Sequence, residues 1–431
     1  MKIFHLHLLI GSLLLLFNTS YAQQTPAPNQ TRGVLITGAT IHVGDGTVIE
    51  NGSIAFEKGS IIAVGRELPA GLSNYQRIDA SGKHIYPGLI AANTQLGLRE
   101  IDAVRATRDD QEVGDYNPNV RALIAYNTDS DVTPTVRSNG MLLAQVTPQG
   151  GRISGQSSIV ELDGWNWEDA VFRADDGIHV NWPRRWTRTG WWAEPGGVKK
   201  NEKYAEEVRN LKAFISEARA YTETDEPETP NLRFEAMRRV FTSDANVYVH
   251  VDLAKDISEA ILFFQNFDII PVIIGGRDSW MVTDLLRQYE VPVILRATQS
   301  LPATEDDHID QPFKTPAQLQ DAGVLFGFSG EGAWEQRNTV FQAGQAVPYG
   351  LSTEAALSGL TLNLAKIFKI DDRVGTLAVG KDATLLISEG DILDMRTSKV
   401  TEAFIQGKKI DLDNKQKSLY RKYQQKYEEQ N

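Results

Sequence analysis

The chain has 431 residues, 44 Lys and Arg against 56 Asp and Glu, a formal charge of −12, 41% hydrophobic residues and no cysteine. The missing thiols exclude disulfides, thiolate nucleophiles and thiolate metal sites, and the acidic balance gives no basis for nucleic-acid binding. With 35 glycines added to the hydrophobic residues, the composition is that of a globular protein with a sizeable core.

Residues 1–22 begin with Lys2, continue with an apolar centre from Phe4 to Phe17 and end in Ser20-Tyr21-Ala22. That order is expected of a secretory signal peptide. The apolar stretch is shorter than the ~20 residues that span a bilayer, and no later segment is long and clean enough. The expectation is an exported protein, periplasmic or secreted, with no membrane span. Removing residues 1–22 takes away one Lys and no acid, so the remainder carries −13. Residues 23–32 are polar and Pro-containing, as in a flexible leader.

From 33 to 85, GVLITGATIHVGDGT and GSIAFEKGSIIAVG alternate apolar residues and break at Gly-rich turns, so short hairpins are expected. A second strand-rich block lies at 371–412. Between the two, strand-length apolar runs alternate with helical stretches at 255–266, 278–289 and 352–368. The runs are HIYPGLIAA, MLLAQV, SSIVEL, VYVHVD, IIPVIIGG, VPVILRA and VLFGFSG. This alternation predicts parallel β-α units in a barrel or an open sheet. Seven runs fall one short of a (β/α)8 barrel, which puts the missing strand in 165–246. Residues 413–431 form a charged helix whose Tyr420, Tyr423 and Tyr427 share a face, expected to pack on the body.

Four pieces in order, YPGLI (86–90), VHVD (249–252), YGLSTEAALSGLTLNLAKIF (349–368) and DDRVGTLAVGKDA (371–383), resemble the amidohydrolase superfamily. The resemblance covers about 33–412 and is closest to the imidazolonepropionase-like branch of metal-dependent hydrolases. It implies an α/β fold: a (β/α)8 TIM-like barrel over 86–370 plus a small β-sandwich built from both chain ends. It also implies hydrolysis of non-peptide carbon–nitrogen bonds by metal-activated water. The family's ligand set is a His-x-His on strand 1, a Lys or acid mid-barrel, two later His and an Asp on strand 8. Here Asn93 and Gln95 stand where the paired histidines belong. A carboxamide oxygen is a poor substitute for imidazole on zinc.

His250 matches a ligand position of the resemblance, and period-two alternation puts Tyr248, His250 and Asp252 on one strand face. Gly275 and Gly276 follow the next strand, and near strand 8 Glu331 is the only acid. Structural zinc contributes ~10–16 kcal/mol, roughly 3 per ligand, so losing two ligands weakens binding on the order of 10⁴-fold. The remaining donors allow a weak single divalent metal, zinc or similar, on His250, with Asp252 or Glu331 as acid/base.

Three further features bear on ligand binding. The turn TPQGGRISGQSS (147–158) combines a glycine pair with Arg152, a possible anion cradle or a plain turn. A Trp-rich insertion at 165–200 holds six of the eight tryptophans. Its Trp186 and neighbours are either a lid over the barrel mouth or a packing anchor. Arg277 and Arg296 follow strand-like runs, where they can hold a ligand carboxylate or neutralise acids in place of a metal. Two functional readings follow: an exported amidohydrolase acting on a small molecule, or a degenerate barrel that binds a small ligand, self-associates or partners an active paralogue.

Overall fold

The structure is a computed structural model that describes residues 25–191, 193–223, 229–302 and 306–428. The signal segment 1–22 lies outside the described residues. Five strands open the fold: β1 (Val34–His42), β2 (Val48–Glu57), β3 (Ser60–Gly65), β4 (Gln76–Asp79) and β5 (His84–Pro87). The barrel follows with β6 (Leu89–Thr94), β7 (Met141–Val146), β8 (Ile153–Glu161) and β9 (Val171–Asn181). After a hairpin of β10 (Trp186–Trp191) and β11 (Glu194–Lys200) it is completed by β12 (Asn246–Val251), β13 (Pro271–Gly275), β14 (Val293–Arg296) and β15 (Phe326–Ser329). The chain ends with β16 (Leu385–Ser388), β17 (Val400–Ile405), β18 (Lys408–Lys409) and the helix Lys415–Glu428.

The eight barrel strands close in the order β12-β13-β14-β15-β6-β7-β8-β9. The missing strand is β9, inside the expected interval. One feature departs from a regular (β/α)8 barrel: β8 runs antiparallel to both β7 and β9. The cause is loop length. Only 147–152 separate β7 from β8 and only 162–170 separate β8 from β9, whereas a parallel crossover needs a dozen residues or more.

Both chain ends contribute to one eight-stranded sheet, ordered β18-β17-β16-β5-β1-β2-β3 with β4 beside β1. The small β-domain expected from both chain ends is present, its strands joined in one hydrogen-bonded sheet. Phe56 of β2 and Phe404 of β17, with three strands between them in that order, stack edge-to-face at 5.1 Å over a core that includes Ile36, Ile54 and Ile85. The chain passes from sheet to barrel at Gly88, where a Cβ would meet the Thr384 methyl at 2.7 Å. A glycine is needed there.

Three other expectations are corrected. The leader is tied down, with Ala27 N–H donating to Asp163 at 3.0 Å and Gln30 bonded to Phe56 and Gly59. Residues 165–200 are not one insertion, since 171–181 is a barrel strand and 186–200 a hairpin. The C-terminal helix has no buried residue, and Tyr420, Tyr423 and Tyr427 are exposed by 68%, 52% and 59%.

Asp163 also receives the buried Arg137 guanidinium at 3.2 Å, joining the helix Thr133–Arg137 to the turn after β8. Removing one partner of a buried pair leaves an uncompensated charge. Asp163→Ala is expected to cost about 3–5 kcal/mol in urea denaturation, and adding Arg137→Leu should restore part of the loss.

Candidate functional site

Strands β6, β7, β9 and β12 to β15 share one direction, so their C-terminal ends form one rim, the end of such barrels that carries active sites. His250 is the next-to-last residue of β12 and Arg296 the last of β14. An Arg296 Nη lies 3.3 Å from His250 Nδ1, and His250 Nε2 lies 2.9 Å from His179 Nδ1 on β9. These contacts fix the proton positions. A guanidinium only donates, so His250 Nδ1 accepts and His250 carries its proton on Nε2. That proton goes to His179 Nδ1, which leaves His179 protonated on Nε2. His179 Nε2 is buried and has no partner among the described residues.

Both imidazoles are therefore neutral. Burial, followed by the nearby Arg296 charge, pushes His250 down to about 3. His179 is lowered well below the ordinary histidine range by burial and then by His250. The His179 ring stacks on Tyr248 at 4.7 Å.

Below this pair sits a buried carboxylate. Asp176 of β9 accepts from Tyr248 Oη at 2.6 Å, Ser157 Oγ at 2.7 Å and Gln145 Nε2 at 2.9 Å. Desolvation raises its pKa while those three donors oppose the shift. Gln145 Oε1 in turn accepts the Asn93 backbone N–H at 3.1 Å. Asn93, with φ 50°, occupies the left-handed region that Asn tolerates, and its Oδ1 is buried without a partner among the described residues. Gln95 is buried just beyond β6.

The other expected site residues are dispersed. Asp252 and Glu331 are both exposed beyond their strands. Arg277 pairs with Asp278 at 2.9 Å and lines a separate cavity of about 280 Å³ formed by the loops after β13 and β14. Arg152 is committed to the Asn181 carbonyl and to Glu207. The turn beside it uses glycine because a Cβ on Gly151 would meet the carbonyls of Gly114 and Asp115 within 3 Å. Trp186 is 53% exposed on the hairpin, whose base is held by Arg185 to Asp256 of the helix Ala254–Gln265. Buried Trp182 packs on Phe263, so the tryptophan that anchors is the one preceding the hairpin.

These donors do not fit a catalytic divalent metal. The two nitrogens of His250 are occupied, one by a cation that repels a second cation. The strand-1 position offers a neutral amide, and β13 ends in glycines. Among the described residues, no group of three or more His, Asp or Glu is placed to hold a metal ion. No helix among them is long and apolar enough to cross a membrane.

His179 and His250 fold with pKa values below the unfolded 6.5, so the unfolded state binds the extra protons. The penalty is absent above pH 6.5, grows as pH falls and for His250 is complete near pH 3. Unfolding free energies from urea denaturation should fall below pH 6.5 with a slope approaching about 1.4 kcal/mol per pH unit per histidine. His250→Gln should remove one histidine's share.

The amidohydrolase family model matches residues 313–410. No curated protein matches the sequence. An amidohydrolase from Thermotoga maritima is similar in structure, with TM-score 0.76 and 21% identity over 88% of this chain and 99% of that one. A Xaa-Pro dipeptidase with bound methionine in its active site gives TM-score 0.56 and 15% identity over 88% and 100%. A zinc-bound adenosine deaminase from Xanthomonas campestris gives 0.53 and 15% over 92% and 98%. The chain thus has the fold of these hydrolases, a closed barrel with an added sheet domain, and residues 313–410 carry the amidohydrolase sequence pattern.

Proposed function

We propose that this chain is an exported, amidohydrolase-like protein that binds a small organic anion at the C-terminal end of its barrel without the divalent metal of the family. The carrying observation is Arg296. Its guanidinium reaches the neutral His250 and pairs with no carboxylate among the described residues. A planar guanidinium beside neutral imidazoles recognises a carboxylate through two parallel hydrogen bonds. The Xaa-Pro dipeptidase of the same fold holds methionine, a ligand with a free carboxylate, in its active site. Export rests on the character of residues 1–22.

A second reading, a hydrolase of non-peptide carbon–nitrogen bonds or the inactive partner of one, draws on the family match over 313–410. The donor set at the rim opposes the hydrolase form. Two measurements on the mature chain, purified without chelator, separate the readings. The first expects substoichiometric metal, and binding of simple mono- and dicarboxylates by calorimetry that Arg296→Gln abolishes. Stoichiometric zinc with zinc-dependent amide turnover would replace the first reading by the second.

A further inference from the structure

Polar side chains follow one another around most of the barrel interior. Asn93 on β6 leads through Gln145, Asp176, Tyr248, His179 and His250 to Arg296 on β14, each joined to the next by a hydrogen bond or a ring stack. The circuit closes across β15, and there it has a gap. Arg296, Ser329 and Ala92 lie in one register row over β14, β15 and β6. The Ser329 hydroxyl turns to the Leu295 carbonyl at 3.1 Å, and Gly330 follows it. At this row β15 therefore offers no large side chain. Two strand spacings, roughly 10 Å, separate Arg296 from the Ala92-Asn93 step.

The two edges of the gap differ in charge. On the β14 edge the Arg296 guanidinium donates to His250 and pairs with no carboxylate among the described residues. On the β6 edge stand acceptors. Asn93 Oδ1 is buried without a partner, and Gln95, 6% exposed, makes no side-chain hydrogen bond among the described residues. The turn that carries Glu331 is held against the same strand, because the Thr94 hydroxyl, next to Asn93, donates to the Gly332 carbonyl at 2.8 Å. Glu331 is exposed and pairs with no cation among the described residues. A simple carboxylate satisfies the arginine edge and leaves the Asn93 oxygen without a donor, and a buried polar atom left unpaired is costly. A ligand that also carries a cationic N–H group answers both edges.

We infer that the ligand of this rim is a small α-amino acid bound as a zwitterion, its carboxylate on Arg296 and its ammonium on the Asn93 amide oxygen beside the Glu331 carboxylate. This rests on the anion-binding reading and names the ligand class of the same site. The amide at the position of a lost metal ligand then has a use of its own, since a neutral oxygen that holds zinc poorly accepts readily from an ammonium.

Calorimetry on the mature chain with matched ligands tests this: L-alanine and L-leucine, their desamino counterparts propionate and 4-methylpentanoate, and their 2-hydroxy counterparts. In at least one set the amino acid is expected to bind at least about tenfold more tightly than both counterparts. Asn93→Gly, which keeps the left-handed backbone, and Glu331→Gln should each narrow that preference, and together remove it. Affinity for the desamino acid should stay that of the parent, which shows that the rim is still folded. Equal binding of amino acid and desamino acid, both lost in Arg296→Gln, would overturn this inference and leave the anion-binding reading standing. A 2-hydroxy acid that binds as tightly as the amino acid, or a preference that survives the double substitution, would overturn it likewise. Absence of binding by all of these ligands would overturn both.

Discussion

One hydrogen bond sets the chemistry of this barrel: the guanidinium of Arg296 donating to Nδ1 of His250. Because arginine cannot reverse its role, the direction of the bond dictates the state of everything behind it. His250 is a donor to His179, and His179 is left holding a proton toward the interior. The imidazole that matches a family ligand position has no lone pair left to offer. Positive charge at this rim comes from a side chain at the end of β14.

The barrel below is organised by the same need to satisfy polar groups out of water. Asp176 is buried and holds three donors from β7, β8 and β12, with the Arg173 charge acting on it more weakly than those donors. Each comes from a different strand, so the carboxylate cross-links the barrel from within. A buried polar network of this kind is stabilising only when complete. Beside this network, Asn93 Oδ1 and His179 Nε2 are among the buried polar atoms without a partner among the described residues. One accepts and one donates, so a ligand or water has a bond to gain at each.

The sequence shows part of this and hides the rest. Alternation in VYVHVD places Tyr248 and His250 together, and Arg296 is identified as a candidate in place of a metal. Asp252, on the same alternation, falls beyond the strand end and into solvent. Strand β9 is obscure because VFRADDGIHVN carries Arg173, Asp175 and Asp176 mid-strand. These read as surface until Asp176 is seen bonded inside and Arg173 bonded to the carbonyls of Phe368, Lys369 and Asp244. With β9 missed, His179 has no role. The antiparallel course of β8 was within reach, since six residues between MLLAQV and the next strand are too few for a crossover. No periodicity shows that Arg277 turns to Asp278 while Arg296 turns to His250, because that depends on which loop leaves each strand.

The most direct test of the account is the protonation pattern of the two imidazoles, read by long-range ¹H–¹⁵N NMR on the mature chain with and without added zinc. Both rings are expected neutral near pH 7 and protonated on Nε2, with spectra that zinc leaves unchanged and that Arg296→Gln alters at His250 Nδ1. A zinc-dependent shift of His250 Nδ1 to the value of a metal-bound nitrogen would contradict the account at its root.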